Sequence, residues 1–375
     1  MSRSRSPFTI VGIVGARPNF VKIAPIAAAL AADGRLHLQL VHTGQHYDAA
    51  LSDSFFADLS IPRPDINLEV GSGSHAVQTA EVMTRLEPVL DRVQPAAVLV
   101  VGDVNSTIAA ALVAAKKGIP VVHVEAGLRS FDRRMPEEVN RVLTDQISDL
   151  LFVTESEAIT NLHREGISPE KIFLVGNVMI DALRGHLKRA TSATTTLRQA
   201  GFSLPERFAV LTLHRPSNVD HLGTLTRLMN GIAGIASEIP VVFPVHPRTA
   251  ERLSAAGLSG ILAPPSFMLL PPLGYLEMLG LTSSAALVLT DSGGIQEETT
   301  ALGVPCFTLR ENTERPATVT EGTNTVIGTD PARLLAAYAE FKTTGGKRGR
   351  IPELWDGKAA QRITAILAKK FSEVE

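Results

Sequence analysis

The residues best equipped for chemistry lie in the stretch Ala286-Leu-Val-Leu-Thr-Asp291-Ser292-Gly293-Gly294-Ile-Gln-Glu297-Glu298. An apolar run breaks at a polar turn, two glycines follow, and a segment opens with paired carboxylates. A buried strand ending in a Gly-Gly turn at a helix start aims several backbone N–H groups, and the positive end of the helix dipole, at one spot. A phosphate fits there. Glu297 or Glu298, one turn in, could accept hydrogen bonds from sugar hydroxyls. The plainer alternative is an ordinary strand-to-helix turn with Asp291 or Ser292 as N-cap.

Cations suited to a diphosphate occur elsewhere. Arg17 and Lys22 flank a helix start with Pro18 near its first turn; arginine offers a bidentate fork and lysine a point charge. Arg315, in Arg310-Glu-Asn-Thr-Glu-Arg-Pro316, offers a further clamp unless it pairs with Glu311 or Glu314. Asp103 and Glu125 each follow an apolar run directly, which puts carboxylates at strand ends. Glu137 and Glu138 open a helix after Met135-Pro136, where the dipole favours anions, so Glu138 can be simply a helix-start charge. Crowded carboxylates cannot all ionise easily, and one that acquires a raised pKa can carry a proton near neutral pH. That suits moving a proton on carbon. The competing reading has Asp103 capping the next helix and Glu137 pairing with Arg141. His214 ends another apolar run beside Arg215 and fits an anion contact or an acid.

Other chemistries are disfavoured. His42 and His46 are separated by a glycine-containing turn, no cysteine partners them, and no His-x-x-Glu-His occurs, so no metal site is expected. Neither an Asp-x-Asp nor a Walker A pattern is present. Gly12-Ile-Val-Gly15 lacks the rest of a dinucleotide fingerprint, which argues against NAD.

These residues need elements to hold them. Short β-branched apolar runs (among them Thr9–Val14, Ala97–Val101, Val121–Glu125, Phe208–Leu213 and Leu287–Thr290) alternate with helical patterns almost from end to end, which predicts α/β architecture with parallel sheets covered on both faces. In such sheets ligands gather beyond the carboxyl ends of the strands, and the unusual polar residues cluster at those ends. The 375 residues fit two domains, with a boundary in the polar region around Leu187–Pro205: residues 1–185 and 186–358, facing a central cleft, and an amphipathic helix at 359–375. Hydrophobic content of 45% and charged content of 20% describe a soluble globular protein. A net charge of −2 gives no electrostatic case for nucleic acid or anionic membrane as partner. The single Cys306 sits in an apolar run and is expected to pack as a small core residue in a reducing cytoplasm. No apolar stretch is long enough to span a bilayer.

With these motifs in view, the chain resembles the non-hydrolysing UDP-N-acetylglucosamine 2-epimerases. Gly-x-Arg17-Pro with Lys22, Gly102-Asp103, His123-Val-Glu125-Ala-Gly-Leu-Arg129, Pro136-Glu-Glu-x-Asn-Arg141, Thr290-Asp-Ser-Gly-Gly-Ile-Gln-Glu-Glu298 and Thr313-Glu-Arg-Pro316 carry the likeness in order. The resemblance implies two Rossmann-like domains in a glycosyltransferase-B-like arrangement, with the last helix returning to the first domain. It implies a cofactor-free inversion at C2 of a UDP-sugar, in a cytoplasmic homodimer. Asp103, Glu125, Glu137 and His214 become the catalytic group. Arg17, Lys22, Ser292, Gly293, Gly294 and Arg315 would hold phosphates, Glu298 the ribose, and Leu273 and Met278 the uracil side. Gln45 and His46 fall where some members bind a second, activating UDP-GlcNAc. The chain departs from the common family pattern at Ala16, Asn19 and Phe20, at Val104-Asn-Ser-Thr107 and, in the loop His214-Arg-Pro-Ser-Asn218, at Pro216 and Ser217.

Overall fold

A computed structural model describes residues 8–44, 61 and 63–372. The chain forms two compact units, Met1–Gly185 with Glu353–Glu375, and His186–Pro352.

In unit 1 the described residues form a seven-stranded sheet in the order β3-β2-β1-β4-β5-β6-β7. Its strands are β1 (Phe8–Val14), β2 (Leu36–His42), β3 (Ile66–Asn67), β4 (Ala97–Val101), β5 (Val121–Ala126), β6 (Leu150–Val153) and β7 (Ile172–Leu174). Every pairing is parallel. All residues of β4 and β5 are buried, as expected for β-branched strands covered on both faces. Alternate residues take opposite faces: Val11, Ile13, Val98 and Val100 share one core with the helices His75–Val93 and Asn105–Lys116. Chain order reverses between β1 and β4, so the loops leaving these two strands open a crevice at their carboxyl ends.

Unit 2 repeats the plan with six strands among the described residues, ordered β10-β9-β8-β11-β12-β13. These are β8 (Ala209–Thr212), β9 (Val241–Pro244), β10 (Phe267–Leu270), β11 (Leu287–Thr290), β12 (Cys306–Thr308) and β13 (Asn324–Val326), again all parallel. Ala209 and Leu211 face a core completed by the helices Leu222–Ala236 and Pro331–Thr344. Val210, Val242 and Val288 face the opposite core. The order reverses between β8 and β11. Cys306 is fully buried in β12, and burial pushes its thiol up to about 12.

The chain re-enters unit 1 before its last helix. Trp355 is buried and donates through Nε1 to the Thr154 carbonyl at 3.0 Å. The Asp181 carboxylate accepts from the amides of Ala359 and Ala360, at 3.1 and 2.7 Å, and so caps the helix Ala359–Ser372. That helix lies against the helix Arg17–Asp33.

Candidate functional site

The candidate site residues of unit 1 lie around the β1/β4 crossover. Beyond β1 the chain turns through Gly15 into the helix Arg17–Asp33. Asn19 ties that turn to its neighbour strand: Oδ1 accepts from the Ala16 amide at 3.0 Å, and Nδ2 donates to the Val101 carbonyl at 2.8 Å. One turn further in, Lys22 meets Glu125, with Nζ 2.8 Å from Oε1 and both side chains buried. Lys22, a phosphate candidate by sequence, also has this carboxylate neighbour, 103 positions away. Glu125 occupies the left-handed region at φ 73°, at an irregularity where β5 shifts register against β6. For a side chain other than Gly, Asn or Asp this conformation is uncommon and costs of order 1–3 kcal/mol. The bulge re-aims Glu125 out of the strand's alternation.

Asp103 leaves β4 one residue after Gly102 and is bound by Arg141. Its backbone carbonyl accepts from Asn140 Nδ2 at 2.9 Å. Val104, not Asp103, occupies the N-cap position of the Asn105–Lys116 helix. Arg141 also reaches Glu138 at 2.7 Å, so a Glu138–Arg141–Asp103 chain stands where the competing reading placed a Glu137–Arg141 pair. Glu138 is only 2% exposed and accepts from Ser130 through its amide and hydroxyl, and from the Phe131 amide, at 2.8–2.9 Å. It is the buried anchor of the 130–131 turn. Glu137, in the first turn of the helix Pro136–Gln146, is half-buried, and its side chain makes no hydrogen bond or ion pair with another described residue.

Behind this group lies a charged network that sequence reading missed. His123 is fully buried on β5, with Nδ1 2.6 Å from Asp145 Oδ1 and Nε2 2.8 Å from the Gly102 carbonyl. Asp145 Oδ2 also takes the Gly127 amide at 3.0 Å and Arg129 at 2.7 Å. Burial alone would raise the Asp145 carboxyl, but His123 and Arg129 outweigh it and hold the group below the usual carboxylate range. The departures at 105–107 belong to the scaffold as well. Ser106 Oγ meets Thr43 Oγ1 at 2.8 Å, Thr107 Oγ1 donates to the Val101 carbonyl at 3.1 Å, and Asn105 donates to Gln78 at 2.9 Å. The one available signal was the run of small polar residues Asn105-Ser-Thr107 a few positions after a buried strand.

In unit 2 the β8/β11 crossover brings His214 beside Asp291, Nδ1 to Oδ1 2.9 Å. Ser292 occupies the N-cap position of the helix Gly293–Leu302, without a side-chain cap. A Cβ on Gly293 would lie 2.7 Å from Glu314 Oε1. Glu314 is bound by Arg310 at 2.7 Å and approached by Arg215 at 3.7 Å. Burial opposes its charge, but the guanidinium groups of Arg310 and Arg315 lead the cations that keep it well below the carboxylate range. Arg315 pairs with neither Glu311 nor Glu314 in a salt bridge; its Nε lies 2.9 Å from Glu297 Oε1. Burial pushes Glu298 up to about 7, eased by the Tyr275 hydroxyl and reinforced by the Glu297 charge. Leu273 and Met278 are partly buried against the core next to the start of the helix Tyr275–Ser284.

Arg17 opens its helix, while Gln45 and His46 lie outside the described residues. Among the described residues no cluster of three or more His, Cys, Asp or Glu side chains is arranged to hold a metal ion, and no helix is long and apolar enough to cross a membrane.

The model of the UDP-N-acetylglucosamine 2-epimerase family matches residues 28–368. A UDP-N-acetylglucosamine 2-epimerase of Methanococcus maripaludis is 44% identical over 327 residues, 86% of this chain and 88% of that one. A UDP-2,3-diacetamido-2,3-dideoxy-D-glucuronate 2-epimerase of Pseudomonas aeruginosa is 41% identical over 364 residues, 96% of this chain and 99% of the other. The crystal structure of the Methanocaldococcus jannaschii UDP-GlcNAc 2-epimerase in complex with UDP-GlcNAc and UDP superposes with a TM-score of 0.88 at 42% identity, covering 96% of this chain and 99% of that one.

Proposed function

This chain belongs to the UDP-N-acetylglucosamine 2-epimerase family, and from that premise we propose that it converts UDP-GlcNAc to UDP-ManNAc without a cofactor and without releasing free sugar. The observation that carries this reading is the grouping of Lys22, Asp103 and Glu125 at one sheet crossover, beside the helix that opens with Glu137. Three carboxylates are more than simple sugar transfer needs and suit proton traffic at carbon.

In the proposed reaction a carboxylate takes the C2 proton. The C–H electron pair forms the C1–C2 double bond of a 2-acetamidoglucal, and the C1–O pair leaves with UDP. Re-addition of UDP at C1, with proton delivery to the other face of C2, gives the epimer. Asp103, Glu125 and Glu137 handle the protons, with Lys22 anchoring Glu125 and Arg141 anchoring Asp103. His214 supports the departing diphosphate. Ser292, Gly293 and Gly294 supply a helix N-terminus to the phosphates, joined by Arg17 and Arg315. Glu298 takes the ribose hydroxyls, and Leu273 and Met278 border the uracil.

Incubating the protein with UDP-GlcNAc in deuterated water should place deuterium at C2 of both epimers without accumulation of UDP. Unlabelled sugar after prolonged incubation would remove the reading, and accumulating UDP with free ManNAc would replace it with a hydrolysing epimerase. Glu125→Gln should lose C2 exchange and keep UDP binding. The Pseudomonas aeruginosa relative is almost as similar as the UDP-GlcNAc relative, which favours a second substrate reading with acetamido and carboxylate groups at C3 and C6. Parallel incubation with UDP-2,3-diacetamido-2,3-dideoxy-D-glucuronate separates the two.

A further inference from the structure

Parallel pairing of Thr212 with Thr290 sets β8 and β11 side by side in unit 2, and their hydroxyls meet at 2.6 Å. The residues leaving these strands meet too. Asp291, one position past β11, has no exposed surface, whereas the His214 side chain, two past β8, is 53% exposed. Asp291 Oδ1 faces His214 Nδ1 at 2.9 Å. Oδ2 accepts from the Arg215 amide at 2.9 Å and from Asn218 Nδ2 at 3.1 Å, and the His214 amide lies 3.2 and 3.1 Å from the two oxygens. Burial would raise the Asp291 carboxyl, but the His214 ring and these amides outweigh it and keep it in the ionised range. An ionised carboxylate only accepts, so the hydrogen between Oδ1 and Nδ1 belongs to the ring. A neutral imidazole has one N–H; carried on Nδ1, it leaves the Nε2 lone pair for whatever approaches the exposed edge.

We propose that Asp291 is a positioning residue that fixes His214 in its Nδ1–H form, so that Nε2 alone meets the departing UDP. The leaving-group part rests on the epimerase reading; the ring form does not. The Nε2 lone pair takes up a proton from solvent at the exposed edge of the ring; when the C1–O pair passes to the diphosphate oxygen, this Nε2–H donates a hydrogen bond to it, and Asp291 balances the charge of the doubly protonated ring from the far side. On re-addition the same contact is released. Asn218 and the backbone amides brace the turn, but only the Oδ1–Nδ1 contact reaches the ring.

The test is nitrogen NMR of isotope-labelled histidine in the intact protein, with His214 assigned by the signal lost in His214→Gln, alongside C2 deuterium incorporation. The neutral ring should carry its proton on Nδ1. Asp291→Asn, whose amide can point N–H at Nδ1, should move the proton to Nε2, lowering kcat by roughly 10²–10³-fold while KM moves less than about threefold. Asn218→Ala disturbs the same turn and should leave the ring form as it was. An Nε2–H ring in the unaltered protein overturns the proposal even if Asp291→Asn fails to fold. It is equally overturned by Asp291→Asn with normal kcat, or by Asn218→Ala shifting the proton as far as Asp291→Asn does. An Nδ1–H ring in a protein that never labels C2 would instead unseat the epimerase reading and leave the Asp291–His214 assignment standing.

Discussion

Adjacent residues of one sequence type can have opposite duties. Glu137 and Glu138 both open the helix Pro136–Gln146, yet Glu138 is buried in a web of four donated hydrogen bonds while the Glu137 side chain has no partner among the described residues. Removing one member of a buried ion pair costs about 3–5 kcal/mol, so Glu138→Ala should lower unfolding free energy in urea by about that much. Glu137→Gln should stay within about 0.5 kcal/mol of the parent while losing C2 exchange. Equal stability losses for the two variants would contradict this division. Glu298 is a second case at this scale. Its carboxyl stands at 4.5 when unperturbed and about 7 in the folded protein. Because the folded value is the higher one, its contribution is fully present below about pH 4.5 and is lost as pH rises to about 7. The difference of about 2.5 units is on the order of 3 kcal/mol. Glu298→Gln should flatten that fall in a pH series of urea melts; an unchanged slope would place the charge in water.

At the scale of elements, the chemistry is set by how strands end. Apolar runs broken by Asp103, Glu125, His214 and Asp291 were legible because a buried parallel strand is apolar to its last residue and any polar side chain after it stands out. What those side chains touch was not legible. Lys22 and Glu125 are 103 positions apart, and His123 and Asp145 22 apart; only strand order, a tertiary property, makes them neighbours. For Lys22 the local sequence shows the charge and hides this carboxylate neighbour. The Gly102 turn tests how tightly these ends are built. Gly102 has φ 68°, and a Cβ there would lie 2.8 Å from Lys22 Nζ and 3.9 Å from Glu125 Oε1. Gly118 has the same φ of 68° with nothing within 4 Å. Alanine at either position should cost about 1–2 kcal/mol for the left-handed backbone. Only Gly102→Ala should also suppress C2 exchange, by displacing Lys22 from Glu125. Parallel losses of stability with equal activities would mean the Lys22–Glu125 contact does not matter to turnover.

At the scale of the whole molecule, the alternating pattern made two Rossmann-like units legible, because parallel sheets demand helical crossovers at regular intervals. The point at which the chain returns to unit 1 was harder to read, since Glu353–Lys358 has no periodic pattern and is held by the buried Trp355 and by Arg362, which donates to the Leu354 carbonyl and the Asp356 carboxylate. Unit 1 is thus built from two separate stretches of the chain, and its stability depends on both. Ile363 and Leu367 are fully buried, and burying each is worth about 1.5–3 kcal/mol, so the final helix supplies about 3–6 kcal/mol through these two side chains. That is a large share of the 5–15 kcal/mol typical of a domain. A chain ending at Lys358 should therefore lose hydrogen-exchange protection in β1, β4 and β5 while β8, β9 and β11 keep theirs, since the core of unit 2 contains no residue beyond Phe341. Asp181→Ala, which removes the cap from the same helix, should weaken unit 1 in the same pattern by about 0.5–2 kcal/mol. Uniform loss of protection in both sheets would mean that the terminal helix stabilises the molecule by a route other than the unit 1 core.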